Sequence, residues 1–226
     1  MGENPILFST SMVQAILDGR KTQTRRPFKY AEHPAVIGYE PNGPHGWWKG
    51  TARSEAVIQQ YISTFPLTIK CPFGIVGDRL WVKEKWRIAD ACEGWSMDDS
   101  QPCRGWIDYE AGGDNEVTAP NFDAVEELLP EDWDWDFIVP EYLSSKKMPR
   151  WASRILLEIT NIRVERLQDI TEAGAIAEGM VADDDYCAEE YYSIYWNQKH
   201  GWKEKGWNAN PWVWVVEFKV IQGGEL

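Results

Sequence analysis

Residues Gly19 to Arg26 read Gly-Arg-Lys-Thr-Gln-Thr-Arg-Arg, and they follow an amphipathic stretch, Phe8-Ser-Thr-Ser-Met-Val-Gln-Ala-Ile-Leu-Asp18. Met12, Val13, Ile16 and Leu17 recur at helical spacing. Ser9 to Ser11 offer N-cap residues, and Gly19 stands where a helix needs a left-handed residue to end. A helix is therefore expected to stop at Asp18. Lys21 and Thr24 then lie just past its end, outside the core, on the run into a strand. A lysine beside a threonine hydroxyl activates a nucleophile when burial or a neighbouring cation lowers the lysine pKa, and Arg20, Arg25 and Arg26 can supply that charge. The same octapeptide also reads as a solvated basic turn.

Two further segments read as framework. In Cys71-Pro-Phe-Gly-Ile-Val-Gly-Asp-Arg-Leu-Trp-Val-Lys-Glu-Lys-Trp-Arg87, turn residues lead into an alternating run. Leu80, Val82, Glu84 and Trp86 share one face, and Trp81, Lys83 and Lys85 share the other. Glu84 on an apolar face is a candidate pocket residue, or a strand-end carboxylate paired with a lysine. From Met148 onward, Trp151 to Arg166 predicts one long strand or two. Gln168 to Gly179 predicts a short helix capped by Thr171 and stopped at Gly179. A second helix is expected over Ala188 to Lys199 with Tyr191, Ile194, Tyr195 and Trp196 inward. Asn210 to Ile221 predicts a strand with Trp212, Trp214, Val216, Phe218 and Val220 on one face. Strands joined by short helices, without regular βαβ alternation, predict an α+β fold built on a small mixed barrel. The chain reads as a single domain, 1–226, with ordered insertions at about 27–66 and 88–147.

Composition narrows the functional classes. The chain has 226 residues, 43% hydrophobic, with 14 tryptophans, which excludes a disordered protein. No apolar run reaches membrane-spanning length, and the N-terminus lacks signal-peptide regions. Cys71, Cys92, Cys103 and Cys187 show no CxxC pairing, and His33, His45 and His200 are scattered, so no metal site is expected and reduced thiols in the cytoplasm are. The net charge of −13 is concentrated: Asp90 to Glu141 holds sixteen acidic residues against Arg104 alone, a net −15, which leaves the remainder near +2. Tight binding to long polyanions needs cations that neutralise phosphates, so this balance disfavours RNA as a partner, although a local basic patch stays possible.

Taken together, the framework resembles the ASCH domains of the PUA-like superfamily. The matching pieces are Ile16 to Arg25, Gly77-Asp-Arg-Leu80, Leu167 to Met180, and Trp214-Val-Val-Glu-Phe218. The wording around Cys71-Pro, Met148-Pro-Arg-Trp-Ala-Ser-Arg154 and Asn210-Pro-Trp-Val-Trp214 is similar to longer members found in phages and prophages. The resemblance implies a PUA-like β-barrel with a cleft, a class often proposed to bind RNA. Small bacterial members are amidohydrolases that cleave N4-acetylcytidine to cytidine and acetate with a lysine, a threonine and a later glutamate. Carried onto this chain, that catalytic set falls on Lys21, Thr24 and Glu178.

The resemblance thus implies removal of an acyl group from the exocyclic N4 amine of a cytosine base or nucleoside, without a cofactor. Thr24 Oγ1 would attack the acyl carbonyl while neutral Lys21 takes its proton; a water nucleophile with Thr24 only positioning is equally compatible. Glu178 would orient Lys21 or hydrogen-bond the departing amine. A carboxylate in the last turn of a helix is disfavoured by the backbone charge there, so it calls for a nearby cation, and Lys21 can be that partner. Arg26 or a backbone amide would hold the oxyanion. Glu84 and Arg26 are the candidate substrate-binding residues, and an insertion Trp or Tyr could stack on the base. The rivals are an RNA-binding module, a ribonuclease, and a phage accessory protein whose acidic surface mimics nucleic acid.

Overall fold

The structure is a computed structural model that describes residues 1–27, 38–39, 48–49, 71–89, 95, 102–129, 141–203 and 205–222. The elements in chain order are β1 (Glu3–Leu7), α1 (Thr10–Leu17), β2 (Gln23–Pro27), β3 (Gly38–Tyr39), β4 (Trp48–Lys49), β5 (Arg79–Lys83), β6 (Trp86–Ile88), β7 (Cys103–Tyr109), β8 (Asp114–Ala119), α2 (Asp123–Glu126), β9 (Leu156–Arg166), α3 (Glu172–Ala177), α4 (Ala188–His200) and β10 (Trp212–Gln222). The class is mixed α+β. Among the described residues, the strand pairings make open sheets and close no barrel. No described helix is long and apolar enough to cross a membrane.

The chain packs as two compact units. The first takes in Met1–Gly2, Gly19–Arg79 and Glu158–Lys219; the second takes in Glu3–Asp18, Leu80–Leu157 and Val220–Leu226. In the first unit, β9, β10 and β2 lie side by side in that order. β10 runs antiparallel to β2 in a regular register from Val213 opposite Pro27 to Glu217 opposite Gln23. β10 buries both faces, with Val213, Trp214, Val215, Val216 and Phe218 inside, while Val220 near its end is exposed. The run from Leu156 to Arg166 forms one strand of 11 residues.

Helix α3 starts where its cap dictates, with Thr171 Oγ1 accepting the Gly174 N–H at 3.1 Å, and it ends before Gly179 at φ 95°. Helix α4 buries Ala188, Tyr192 and Trp196 on a core shared with Leu167, Ile170, Ala175, Val213 and Val215. Trp196 is inward as expected, but the rest of the expected phase is corrected: Ile194 is exposed, and the Tyr191 hydroxyl is hydrogen-bonded to Asp183 near the surface. With Tyr192 and Trp196 only four apart, the buried stripe is narrow, and the many aromatics nearby obscure its phase in the sequence.

In the second unit, α1 buries Met12, Val13, Ala15 and Ile16, matching its amphipathic spacing. The run through β5 into β6 buries Leu80, Val82, Glu84 and Trp86 on one face, again as its alternation predicts. Part of the acidic stretch is ordered sheet: β6, β7 and β8 form an antiparallel meander. Its inner face, with Trp86, Trp95, Ile107, Tyr109 and Val117, makes a second core closed by Val125, Met148 and Ala152. Alternation explains how so acidic a segment folds, because its carboxylates take the outward positions. His33, His45, Trp47, Cys92, Trp133 and Trp135 lie outside the described residues.

Candidate active site

The site in the first unit is built around one buried ion pair. After Asp18 ends α1, Gly19 takes φ 72° and the chain turns toward β2. The main chain of Lys21 forms an isolated antiparallel bridge with Glu178, and Thr22 N–H donates to Ala177 O at 2.9 Å. The start of β2 is thereby fastened to the C-terminal end of α3. Lys21 Nζ donates to Glu178 Oε2 and to the Glu178 backbone O, each at 2.8 Å. One ammonium answers both a carboxylate and the negative end of a helix.

Lys21 is 2% exposed, which corrects the expectation that it lies outside the core. The reason is the bridge: pairing with α3 draws the residues after Gly19 inward. Burial pushes the Lys21 pKa down, more than Glu178 raises it, and Arg26 and Arg25 push in the same direction as burial.

Arg25 holds the other side of the same carboxylate, with Nη1 3.2 Å from Glu178 Oε1. Its Nε and Nη2 both donate to Glu165 Oε1, at 3.0 Å and 2.5 Å. Glu165 Oε2 accepts from Arg163 Nε at 2.9 Å, and Arg163 Nη1 is bonded to Glu217. Three cations (Lys21, Arg25, Arg163) and three carboxylates (Glu178, Glu165, Glu217) thus form a continuous network. Matching charges inside the protein keeps any one of them from being stranded in a low-dielectric setting.

The pleat of β2 explains which residues converge. Lys21, Gln23 and Arg25 alternate onto one face, where Gln23 Nε2 also donates to Gly174 O at 2.7 Å. Thr24, buried and opposite Val216, falls by the same alternation on the other face. Arg26 is half-buried, and burial lowers its pKa against the opposing influence of Tyr195, Glu178 and Tyr192. Arg20 is the outward cation of the octapeptide, donating to Gly179 O at 3.1 Å. Helix α4 contributes a row of groups spaced three and four apart: Tyr192, Tyr195 and Lys199. The Arg25 guanidinium lies 6.0 Å from the Tyr192 ring centre. Lys199 Nζ donates to Tyr195 Oη at 2.9 Å.

Glu84, the other candidate for substrate binding, belongs to the second unit. Its carboxylate takes a bidentate pair from Arg154, Nε to Oε1 and Nη2 to Oε2, both 3.0 Å. Arg154 also donates to Gly112 O at 2.8 Å and lies 4.0 Å over the Tyr109 ring. The partner is an arginine and not the lysine expected, because a buried carboxylate is best satisfied by a planar two-pronged donor.

Among the described residues, no group of three His, Cys, Asp or Glu side chains is placed to hold a metal. Cys71 and Cys103 are buried thiols and Cys187 is exposed. Several contributors were not singled out in the sequence: Glu165, Arg163, Glu217, Tyr192 and Lys199. The alternation Arg163-x-Glu165 on β9 and the helical spacing on α4 were the available signals.

No family model matches the chain, and no curated protein matches it. Among solved structures it is similar to a crystal structure of protein EF3133 from Enterococcus faecalis V583, described by the family model DUF984, at 9% identity and a TM-score of 0.39. The match covers 98% of this chain and 82% of that one.

Proposed function

We propose that this chain is an ASCH-type amidohydrolase of PUA-like kinship that removes an acyl group from the N4 amine of cytosine or cytidine derivatives. The observation that carries the reading is the buried Lys21–Glu178 pair, the two residues on which the resemblance places a base and its partner. A neutral lysine has two N–H bonds and one lone pair. The neutral form of Lys21 can take up a proton while it still donates to the Glu178 carboxylate and backbone carbonyl. Burial and the neighbouring arginines lower the Lys21 pKa, so the ammonium beside Glu178 reaches that neutral form more readily than an ordinary lysine.

In this mechanism Lys21 takes a proton from the nucleophile as it attacks the acyl carbon. The position of Thr24 across the strand from Lys21 favours water as that nucleophile over the threonine hydroxyl. Arg26 alternates with Lys21 along the β2 segment as Thr24 does, but its longer side chain interacts electrostatically with Lys21, Glu178 and Tyr195, and there it stabilises the developing oxyanion. Glu178 keeps Lys21 oriented, and Arg25 keeps Glu178 charged and fixed. No step calls for a cofactor.

The RNA-binding and ribonuclease alternatives need the basic octapeptide as a phosphate patch. Lys21 and Arg25 are instead turned inward and matched by carboxylates, which leaves little of the patch for a polyanion. The test is turnover of N4-acetylcytidine, followed by the change in its ultraviolet absorbance, in the wild type and in Lys21→Arg. The reading predicts release of cytidine and acetate by the wild type and loss of at least two orders of magnitude in the variant, because a guanidinium stays protonated. Equal turnover in Lys21→Arg would remove Lys21 as the base.

A further inference from the structure

Amide cleavage needs a second proton transfer that Lys21 does not supply. The departing N4 nitrogen cannot leave as an anion, so an acid has to protonate it as the C–N bond breaks. We propose that Tyr195 is that acid and that Lys199, acting through Tyr195 as a positioning residue, resupplies its proton. This rests on the amidohydrolase reading of the Lys21–Glu178 site.

Tyr195 and Lys199 sit one turn apart on α4, with the Lys199 Nζ 2.9 Å from Tyr195 Oη and 5.4 Å from the ring centre. Tyr195 is half-buried, its ring centre 6.2 Å from that of Tyr192, and it interacts electrostatically with Arg26. Arg26 is the residue assigned to the oxyanion. In the proposed arrangement the oxyanion meets Arg26, and the nitrogen bonded to the same acyl carbon meets the Tyr195 hydroxyl. Lys199 is open to solvent, so it can recover a proton after each turnover. Its surroundings tune it: partial burial lowers its pKa to about 8, with Arg26 and Lys21 adding to the effect and Glu178 opposing it. The groups facing it are Tyr195 and His200 from α4, Lys21 and Arg26 from the β2 segment, and Glu178 from the end of α3. A lysine tuned this way gives up a proton near neutrality far more readily than an ordinary one.

The step balances as follows. Water adds to the acyl carbon and loses one proton to Lys21. The C–N bond breaks, its electron pair goes to N4, and the Tyr195 O–H proton joins it. Lys199 ammonium restores the phenol. Acid and amine leave, Lys199 regains a proton from solvent, and Lys21 returns one.

The test is the pH dependence of kcat on N4-acetylcytidine for the wild type, Tyr195→Phe, Lys199→Gln and Lys199→Arg, each shown to be folded by circular dichroism. The wild type should lose activity as pH rises through about 8, because Lys199 must be protonated. Tyr195→Phe keeps the ring and should lower kcat on the order of 10²-fold with KM changed less than threefold. Its deficit should shrink on 4-nitrophenyl acetate, whose leaving group needs no proton. Lys199→Gln should lower kcat and lose the descending limb near 8. Lys199→Arg should not rescue the activity lost in Lys199→Gln, because a guanidinium keeps its proton and cannot hand it to the phenolate.

Hydrolysis by the wild type together with an unchanged kcat and pH profile in Lys199→Gln overturns this assignment and leaves the amidohydrolase reading intact. So does a Tyr195→Phe effect confined to KM. Absence of hydrolysis of any N4-acyl cytosine compound by the wild type overturns both.

Discussion

Lys21 and Glu178 are joined by both side chain and main chain: the lysine ammonium lies 2.8 Å from the Glu178 carboxylate and 2.8 Å from its backbone oxygen, and the two backbones form an antiparallel bridge. The residues are 157 positions apart, so this contact ties distant parts of the first unit together. Both partners are buried, each 2% exposed. Removing one leaves the other charged in a dry setting, and a structural cost follows along with any loss of activity.

Lys21→Met should therefore lower stability as well as abolish turnover. Breaking a buried pair from one side costs about 3–5 kcal/mol, well within the resolution of urea unfolding at pH 7. The double variant Lys21→Met with Glu178→Leu should recover part of that stability while remaining inactive, since it strands no charge. Stability in Lys21→Met equal to the wild type would mean that Glu178 finds another partner and that the pair does not organise the site.

At position 24 the expected outcome follows from the pleat of β2. With Thr24 on the face opposite Lys21, Thr24→Val should keep most of its turnover, and Thr24→Ser should do no better. A loss of orders of magnitude in Thr24→Val that Thr24→Ser avoids would make the hydroxyl the nucleophile after all. Trapping an acyl-enzyme by mass spectrometry would decide the point independently.

Glu84 separates a structural carboxylate from a substrate-binding one. Its bidentate pair with Arg154 is buried, so Glu84→Gln should destabilise the protein by about 3 kcal/mol or more, read as a lower urea midpoint. A marked rise in KM with the urea midpoint unchanged would restore Glu84 to substrate binding.

His200 provides a pH test in the first unit. Its ring packs against Trp196 at 4.2 Å between centres, and burial, aided by Lys199, Arg26 and Lys205, lowers its pKa from 6.5 to about 4. The folded state thus binds fewer protons than the unfolded state between those values. The contribution of neutral His200 is fully present above about pH 6.5 and is lost as pH falls toward 4. His200→Phe should flatten that loss, measured as the difference between urea midpoints at pH 7 and pH 5. The same slope in the variant would place the acid sensitivity elsewhere.

Much of this was legible in the residues themselves. Gly19, Thr171 and Gly179 punctuate helices as their backbone chemistry requires, and the alternation from Leu80 to Trp86 survives intact in the fold. The pairing of Lys21 with Glu178 was expected only once both residues had been singled out together, because no local period links residues 157 positions apart. The burial of Lys21 was not legible at all. A run of four cations in eight residues looks solvated until the pairing of Thr22 with Ala177 draws it inward. The phase of α4 failed for a related reason: Tyr191, Tyr192, Tyr195 and Trp196 are all apolar enough to be inward, and only the packing with Val213 and Val215 selects among them.

The central claim is that this site hydrolyses an acylated cytosine and does not bind a polyanion. The most direct measurement is hydrolysis of N4-acetylcytidine by the full chain at low and moderate salt, alongside titration of labelled single-stranded RNA. A neutral nucleoside needs no phosphate neutralisation, so KM should change little with salt, and RNA binding should be weak beside a segment of net −15. No hydrolysis of any N4-acyl cytosine compound, together with submicromolar RNA affinity that falls with log salt at a slope of about −0.7 per neutralised phosphate, would contradict the account.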